Sequence, residues 1–227
     1  MEQTTITVQG TFSAFYPAER ATVGVVVQHE SSTRDQAFSA TLEAAETVRT
    51  AIREVEASDS AVISRWSSNS VQVWSERPWQ PDGQRGEQQF FAREDFSVTF
   101  ADFSMLAAWV ETVVAIDGVS VATVEWSLTP GRKTSATTEV RSRAVQDART
   151  KATVYAQALG LGSIRAIAVA DPGMLGDQVR GSAPETAMFS RVSATGDSGE
   201  TRLTLTPEKI EVSAAVDARF AATLSAE

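Results

Sequence analysis

Hydrophobic residues recur every three or four positions in three stretches of the chain, which is the spacing of one face of an amphipathic helix. In the first stretch Thr33 and Gln36 are placed as in a capping box, so a helix is predicted to begin there. The second predicted helix begins at Asp102 or Ser104. The buried residues are predicted to be Phe38, Leu42, Ala45, Val48, Ile52 and Val55 in the first helix and Leu106, Trp109, Val110, Val113 and Ile116 in the second.

The third helical stretch covers residues 137–162, with Thr137 or Thr138 as its N-cap and Gly160 as the residue that ends it. Because most of its apolar face is alanine, the element beneath can approach the helix backbone closely, and a sheet is the natural candidate. The residues predicted on that face are Val140, Ala144, Ala148, Ala152, Tyr155 and Leu159.

Strict alternation of apolar and polar residues, the pattern of a strand with one buried face, occupies much of the remaining chain. The clearest case is the last, residues 210–222, where every second residue is apolar. Strands that come in adjacent runs between helices favour an α+β fold, with antiparallel sheet and three main helices packed on one face. Extended segments are predicted at residues 4–30 (two strands), 61–75, 96–100, 124–128, 164–170 and 210–222.

The length of 227 residues allows one large domain or two small lobes. We expect a single domain over 1–227, with a division into lobes of 1–75 with 210–227 and of 90–170 as the alternative. Residues 171–203 are rich in Gly, Ser, Thr and Pro without periodicity, which predicts a long flexible excursion.

The formal charge of −9 makes the chain acidic and argues against nucleic acid or an anionic membrane as its main partner. There is no cysteine, which removes disulfides and thiolate chemistry. No apolar run approaches the ~20 residues of a transmembrane helix, so no membrane span is expected. The first residues lead directly into a strand pattern instead of a signal peptide, so the expected location is the cytoplasm.

One tetrapeptide, residues 196–199, is similar to the nucleophile loop of trypsin-like serine proteases, with Ser198 as the nucleophile. His29 precedes it, in the order that those enzymes use. However, Glu200 stands where that family has a second glycine, and three helices do not fit its double β-barrel. We therefore interpret the tetrapeptide as a turn, and keep a hydrolase that uses a serine in residues 193–200 as an alternative function.

No metal or cofactor site is predicted. One histidine without any cysteine cannot supply the several ligands of a zinc or iron site, so His29 is interpreted as a solvent-facing residue at a strand end. Residues 131–134 echo the end of a phosphate-binding loop, but Trp126 occupies the place of its first glycine. The adjacent carboxylates Glu94 and Asp95 would point to opposite faces of a strand, so they are interpreted as solubilising charges.

Aromatic residues cluster around the polar run 76–89, which carries two prolines and two glycines and is predicted to be a loop or a long hairpin tip. Two interpretations stay open: packing within the core and hairpin, which is favoured, and contact with another protein, where aromatic residues are enriched. The candidate interaction residues are Trp74, Trp79, Phe90 and Phe91.

Four stretches of the chain, in a fixed order, carry a resemblance to a known family. They are the Val8-x-Gly10 strand with residues 17–23, the strand at 90–98, the helix at 144–160, and the strand at 207–216. In these stretches, which together span nearly the whole chain, the sequence resembles the SIMPL-domain family, a bacterial family of unknown function.

The resemblance implies an α+β fold, no cofactor and, for at least one relative, self-assembly into a large hollow oligomer. Members of that family include exported immunogenic proteins of the periplasm or outer membrane and a protein linked to oxidative-stress defence. This sequence departs from the family by lacking a signal peptide and by having Phe90-Phe91 where the family commonly has Gly-Tyr.

These observations favour a non-enzymatic protein that works by self-assembly, as a homo-oligomer, or by binding a protein partner. Residues 76–91 and 171–203 are the expected contacts. A role in stress defence is a further expectation from the resemblance alone. Besides the hydrolase, a small-ligand-binding module with a groove between helix and sheet is an alternative, although an alanine-lined helix leaves little room for it.

Overall fold

The computed structural model of the chain describes residues 3–79, 85–175 and 205–224. Its strands form two antiparallel sheets, and its three helices pack on them, so the predicted α+β class is confirmed. The elements are β1 (Gln3–Pro17), β2 (Arg20–Ser31), α1 (Arg34–Ser58), β3 (Ile63–Ser68), β4 (Gln72–Glu76), β5 (Gln89–Phe100), α2 (Phe103–Val114), β6 (Val119–Ser127), α3 (Pro130–Ala158), β7 (Leu161–Ala170) and β8 (Lys209–Leu224).

The described residues form two compact units, each built on one sheet. This division differs from the lobes 1–75 with 210–227 and 90–170. The strands β2, β3 and β4 share a sheet with β5 and β6, whereas β7 shares the other sheet with β1 and β8. The first unit contains residues 3–17, 128–175 and 209–224, and the second contains residues 18–79, 85–127 and 205–208.

The first unit is a three-stranded sheet in the order β1–β8–β7, covered on one face by α3. β1 and β8 pair along their whole lengths, from Gln3↔Thr223 to Pro17↔Lys209. The alternation predicted for 210–222 is confirmed, since its even-numbered residues form the face that α3 covers. Those most deeply buried are Val216, Ala218, Phe220 and Ala222.

Helix α3 begins earlier than predicted. Its N-cap is Thr129, whose hydroxyl accepts from the backbone N–H of Arg132 at 3.3 Å, and Pro130 occupies the first helical position. The predicted cap at Thr137 or Thr138 is wrong, because the hydroxyls of both donate to carbonyls one turn back inside the helix.

The prediction of the buried face of α3 is confirmed in the centre of the helix and wrong at its C-terminal end. Tyr155 and Leu159 are 53% and 64% exposed, whereas Ala156 is buried. The helix rests on the sheet through residues spaced strictly by four, which moves the buried row one position away from Tyr155. That row is Ala136, Val140, Ala144, Ala148, Ala152 and Ala156.

The backbone of α3 lies directly against the backbone of β1 at Gly10. A Cβ atom at Gly10 would stand 2.0 Å from the carbonyl oxygen of Ala144 and 2.6 Å from the backbone nitrogen of Ala148. Both of these alanines are fully buried. Gly10 therefore sets how closely the helix approaches the strand.

The second unit is a sheet in the order β3–β5–β2–β6, with β4 paired to β5, and both α1 and α2 lie on one face of it. β5 and β6 are longer than the strands predicted at 96–100 and 124–128. The prediction for α2 is confirmed: Asp102 is its N-cap and accepts from the backbone N–H groups of Ser104 and Met105 at 2.8 and 3.1 Å. The hydrogen bond from the Ser104 side chain, followed by that from the Met105 N–H, lowers the pKa of Asp102.

Helix α1 forms as predicted, but its cap and its buried face differ from the prediction. Thr33 makes no side-chain cap, and Gln36 instead accepts from the Ser31 hydroxyl at 2.7 Å. Leu42 is 39% exposed, because α1 meets the sheet through a row of mostly small residues that brings it close. The buried residues of α1 are Ala37, Thr41, Ala44, Ala45, Val48, Ala51 and Ile52.

Substitution Gly10→Ala should destabilise the protein by at least about 2 kcal/mol, because the new methyl group collides with helix backbone that cannot move aside. Gly131→Ala is the matched control, since nothing lies within 4 Å of a Cβ at that position of α3. We expect the control to be neutral or stabilising by up to about 1 kcal/mol. Urea unfolding followed by circular dichroism measures both, and equal midpoints for the two variants would contradict the close approach.

Candidate interaction site: the hairpin of β4 and β5

Strands β4 and β5 form a hairpin around the polar run that the sequence placed between aromatic residues. The two strands pair from Gln72↔Arg93 to Glu76↔Gln89. Beyond them, the N–H of Gly86 donates to the carbonyl of Pro78 at 2.8 Å, and Trp79 and Arg85 form an isolated bridge. Residues 76–89 thus belong to a hairpin in their described part, and residues 80–84 lie outside the description.

Trp74 and Phe91 stack on each other on the sheet face opposite the helices. Their ring centroids lie 5.4 Å apart with planes inclined by 16°, and Phe91 alternates with the buried, core-facing Ala92. The indole N–H of Trp74 also donates to Glu76 at 3.1 Å. Trp74 and Phe91 therefore pack within the hairpin, as one of the two interpretations has it. Their stack stabilises the hairpin by about 0.5–1.5 kcal/mol.

Phe90 lies on the other face of the same strand. It stands opposite Ser31 of β2 and Ser75 of β4, and as the neighbour of Phe91 it points to the opposite side. The structure therefore brings Trp74 and Phe91 together and separates Phe90 from them.

Trp79 is the candidate residue that remains available to a partner, with 69% of its surface exposed. The guanidinium of Arg85 lies 5.4 Å from the centre of its ring, a distance typical of a cation–π contact. Sequence reasoning missed Arg85. A hairpin register for residues 76–89 would have placed it opposite Trp79, but the register cannot be read from a run without alternation.

Side-chain hydrogen bonds across the hairpin hold its two arms together near Trp79. The side-chain N–H of Gln88 donates to the Ser75 hydroxyl at 2.9 Å, and the Arg77 guanidinium donates to the side-chain amide oxygen of Gln88 at 3.4 Å. Together with the strand pairing and the aromatic stack, these bonds fix the part of the hairpin that precedes Trp79.

A buried ion pair fixes α1 on the strand that carries the hairpin. Glu94 is 1% exposed and accepts a hydrogen bond from Arg49, which also donates to Glu46 at 3.2 Å and lies over Phe96. The interpretation of Glu94 as a solubilising charge is therefore wrong, because it faces α1. Asp95 does point to the other face, where it pairs with Arg93 at 2.7 Å.

His29 is largely buried, with a side chain 15% exposed, so its interpretation as solvent-facing is wrong. Its ring packs on Gly118, where a Cβ atom would come within 2.4 Å of it. One ring nitrogen lies 3.4 Å from the Thr41 hydroxyl, and the other lies 3.7 Å from the Asp117 carboxylate. Hydroxyl, imidazole and carboxylate follow one another in the same way in the catalytic triad of serine hydrolases.

This arrangement of Thr41, His29 and Asp117 cannot act on a substrate as it stands. Thr41 is fully buried, so its oxygen cannot reach a substrate. Its hydroxyl proton is donated to the carbonyl of Ala92 at 3.1 Å and is therefore not positioned for transfer to His29. The contact of His29 with Thr41 and the packing of its ring on Gly118 join β2, α1 and the turn after α2.

The other predicted contact, 171–203, is described only at its beginning, and Ser198 lies outside the described residues. In the described part, the N–H of Gly173 donates to Asp217 at 2.7 Å, and Arg219 donates to the carbonyl of Leu175 at 2.7 Å. Residues 171–175 are therefore tied to β8.

A groove of about 360 Å³ lies between α3 and the start of β7, lined by residues that include Arg149, Thr153, Gln157 and Ser163. Within residues 3–79, 85–175 and 205–224, no three acidic or histidine side chains come together in a way that could hold a metal ion. No helix in those ranges has the length and apolar character needed to cross a membrane.

Comparison with known families gives one match that covers nearly the whole chain. The family model described as SIMPL, protein of unknown function (DUF541), matches residues 6–220. Among curated proteins, none matches the chain. The match includes both structural units, and it confirms the resemblance found in the four sequence stretches.

Substitution Arg49→Met should destabilise the protein by about 3–5 kcal/mol, because it leaves the buried Glu94 carboxylate without its counter-charge. Arg53→Met is the matched control on the same helix, since Arg53 is 58% exposed and pairs with Glu46 at the surface. We expect the control to cost no more than about 1 kcal/mol. Urea unfolding midpoints measure both, and a similar small loss for each would show that the buried pair does not hold α1.

Proposed function

We propose that this chain, which belongs to the SIMPL family of proteins of unknown function, acts by contact with other protein chains and not by catalysis. A second copy of the same chain is the first partner proposed. Trp79 carries the proposal, because it is a large aromatic side chain that stays 69% exposed although strand pairing and stacking hold the described part of its hairpin.

Burial of Trp79 would supply a substantial part of a binding free energy. A tryptophan buries about 150–250 Å² when it is fully enclosed, so enclosing the exposed part at about 25 cal/mol per Å² gives roughly 3 kcal/mol. Tryptophan and arginine are the residues most often found at energetic centres of interfaces, and here Arg85 lies against Trp79.

The hairpin is also preorganised, which lowers the entropic cost of binding. The strand pairing of β4 with β5, the Trp74–Phe91 stack and the bond from Gln88 to Ser75 fix the base of the hairpin before any partner arrives.

A contact between two copies through the hairpin is compatible with their charge. The whole chain carries −9, and two such chains repel each other. Residues 72–93 contain three arginines against three acidic residues, so this segment has a net charge of zero. A contact made through the hairpin places a neutral segment between the copies, where the repulsion between them is smallest.

A role in oxidative-stress defence is a further proposal that rests on the resemblance to the family. In a deletion strain, survival under peroxide should fall and return when the chain is supplied again. Equal survival of the deletion and parent strains would remove the stress role.

Substitution Trp79→Ala should lower the self-association constant by roughly 100-fold, which corresponds to about 3 kcal/mol of lost burial. The solution mass should move toward the 24.3 kDa of one chain, while the far-UV circular dichroism and unfolding midpoint stay unchanged. Phe15→Ala is the control, an aromatic residue that is 62% exposed in the first unit. An unchanged mass for Trp79→Ala, or a loss of mass for Phe15→Ala alone, would contradict the proposal.

A further inference from the structure

β1 is an edge strand of the first unit. β8 pairs with one side of it along all 15 residues, and in the described ranges no strand pairs with its other side. The free edge of a long strand presents unpaired N–H and C=O groups, which form a template for a strand from another chain.

Two side chains of α3 occupy this free edge at its middle. The backbone N–H of Thr11 donates to the Asp147 carboxylate at 2.8 Å, and the Lys151 ammonium donates to the carbonyl of Gln9 at 3.0 Å. Asp147 and Lys151 also pair with each other at 2.7 Å, one helical turn apart. The helix thus offers the strand one acceptor and one donor, as a neighbouring strand would.

The position of this pair follows from the close approach of α3 to β1. Gly10 lies between Gln9 and Thr11, and the helix backbone touches it at Ala144 and Ala148. Only at such a short distance can a side chain as short as that of Asp147 reach the edge of the strand. The hydrogen bond from Lys151, followed by that from the Thr11 N–H, lowers the pKa of Asp147, so the acceptor is charged at neutral pH.

We propose that Asp147 and Lys151 close the free edge of β1 to a further strand, and that the strand they exclude is β1 of a second copy. In an antiparallel ladder, alternate residues of a strand direct their N–H and C=O groups to the same edge. Gln9 and Thr11 belong to the set that faces the free edge, so an added strand could not pair through the centre of β1 without displacing both side chains.

A second β1 is the natural occupant of the edge once it is opened. Thr5, Thr7 and Thr11 are exposed on β1, and threonine is a strong strand former whose cross-strand pairs are favourable. Two antiparallel copies of β1 are related by a twofold axis, so the pairing closes as a dimer and needs no other sequence. This contact is separate from the hairpin contact, which belongs to the second unit.

The test compares two double variants that leave the net charge unchanged, both in the Trp79→Ala background so that association through the hairpin is weakened equally in both. Asp147→Ala with Lys151→Ala opens the edge. Glu54→Ala with Arg149→Ala removes one acidic and one basic residue from exposed helix positions that do not bond to β1. Amide hydrogen exchange at Thr11 and the solution mass are measured for each.

In the opened variant the Thr11 amide should exchange at least about tenfold faster at low protein concentration. At high concentration its mass should double and its β-sheet signal should rise, while the control keeps the values of the background. A mass equal to that of the control at all concentrations would overturn the proposal, whether or not the exchange of Thr11 changes.

Two further variants keep the proposal open to refutation. Adding Thr11→Pro to the opened variant removes the edge N–H, so the mass should return to that of one chain. An associated triple variant would show that pairing does not use the edge of β1.

If the double variant fails to fold, the single substitution Lys151→Met replaces it. This change frees the Gln9 carbonyl and keeps the alkyl chain, so partial association is expected. A Lys151→Met variant that does not associate would overturn the proposal.

Discussion

The contact between the backbone of α3 and Gly10 determines the structure of the first unit. It fixes the distance at which α3 meets β1, and side chains larger than those of Ala144 and Ala148 would not fit against Gly10. At the other end of the helix, Tyr16 donates to Glu139 at 3.1 Å and its ring lies under Arg132, so the contact is held along its length. Both the packing of α3 and the closed edge of β1 depend on position 10 being a glycine, which has no side chain.

In the second unit, β5 has the corresponding role. Its buried face holds α1 through the Glu94–Arg49 pair and through the hydroxyl of Thr41, while its first residues pair with β2 and β4 at once. The hairpin therefore extends a strand that is held by α1 on one face and by β2 and β4 at its two edges. A rigid base with an exposed tryptophan is a good scaffold for binding another chain, and this links the packing of α1 to the proposed function.

The sequence predicted the fold well where a pattern is local, as in the alternation of 210–222, the alanine row of α3 and the Asp102 cap. It failed where the choice depends on a distant element. Helical periodicity alone cannot decide whether Tyr155 or Ala156 faces the sheet, because the two are neighbours and the sheet selects the row. The pairs Glu94–Arg49 and Lys151–Gln9 join residues from different elements, so no local signal marks them. The pair Trp79–Arg85 lies within one hairpin, but a run without alternation does not show the register that brings the two together.

The most direct test of self-association is the solution mass of the unmodified chain, measured by light scattering behind size exclusion over a dilution series. We predict a discrete species at a multiple of 24.3 kDa that dissociates on dilution. A mass of 24.3 kDa at every concentration would contradict self-association as the way in which this protein acts.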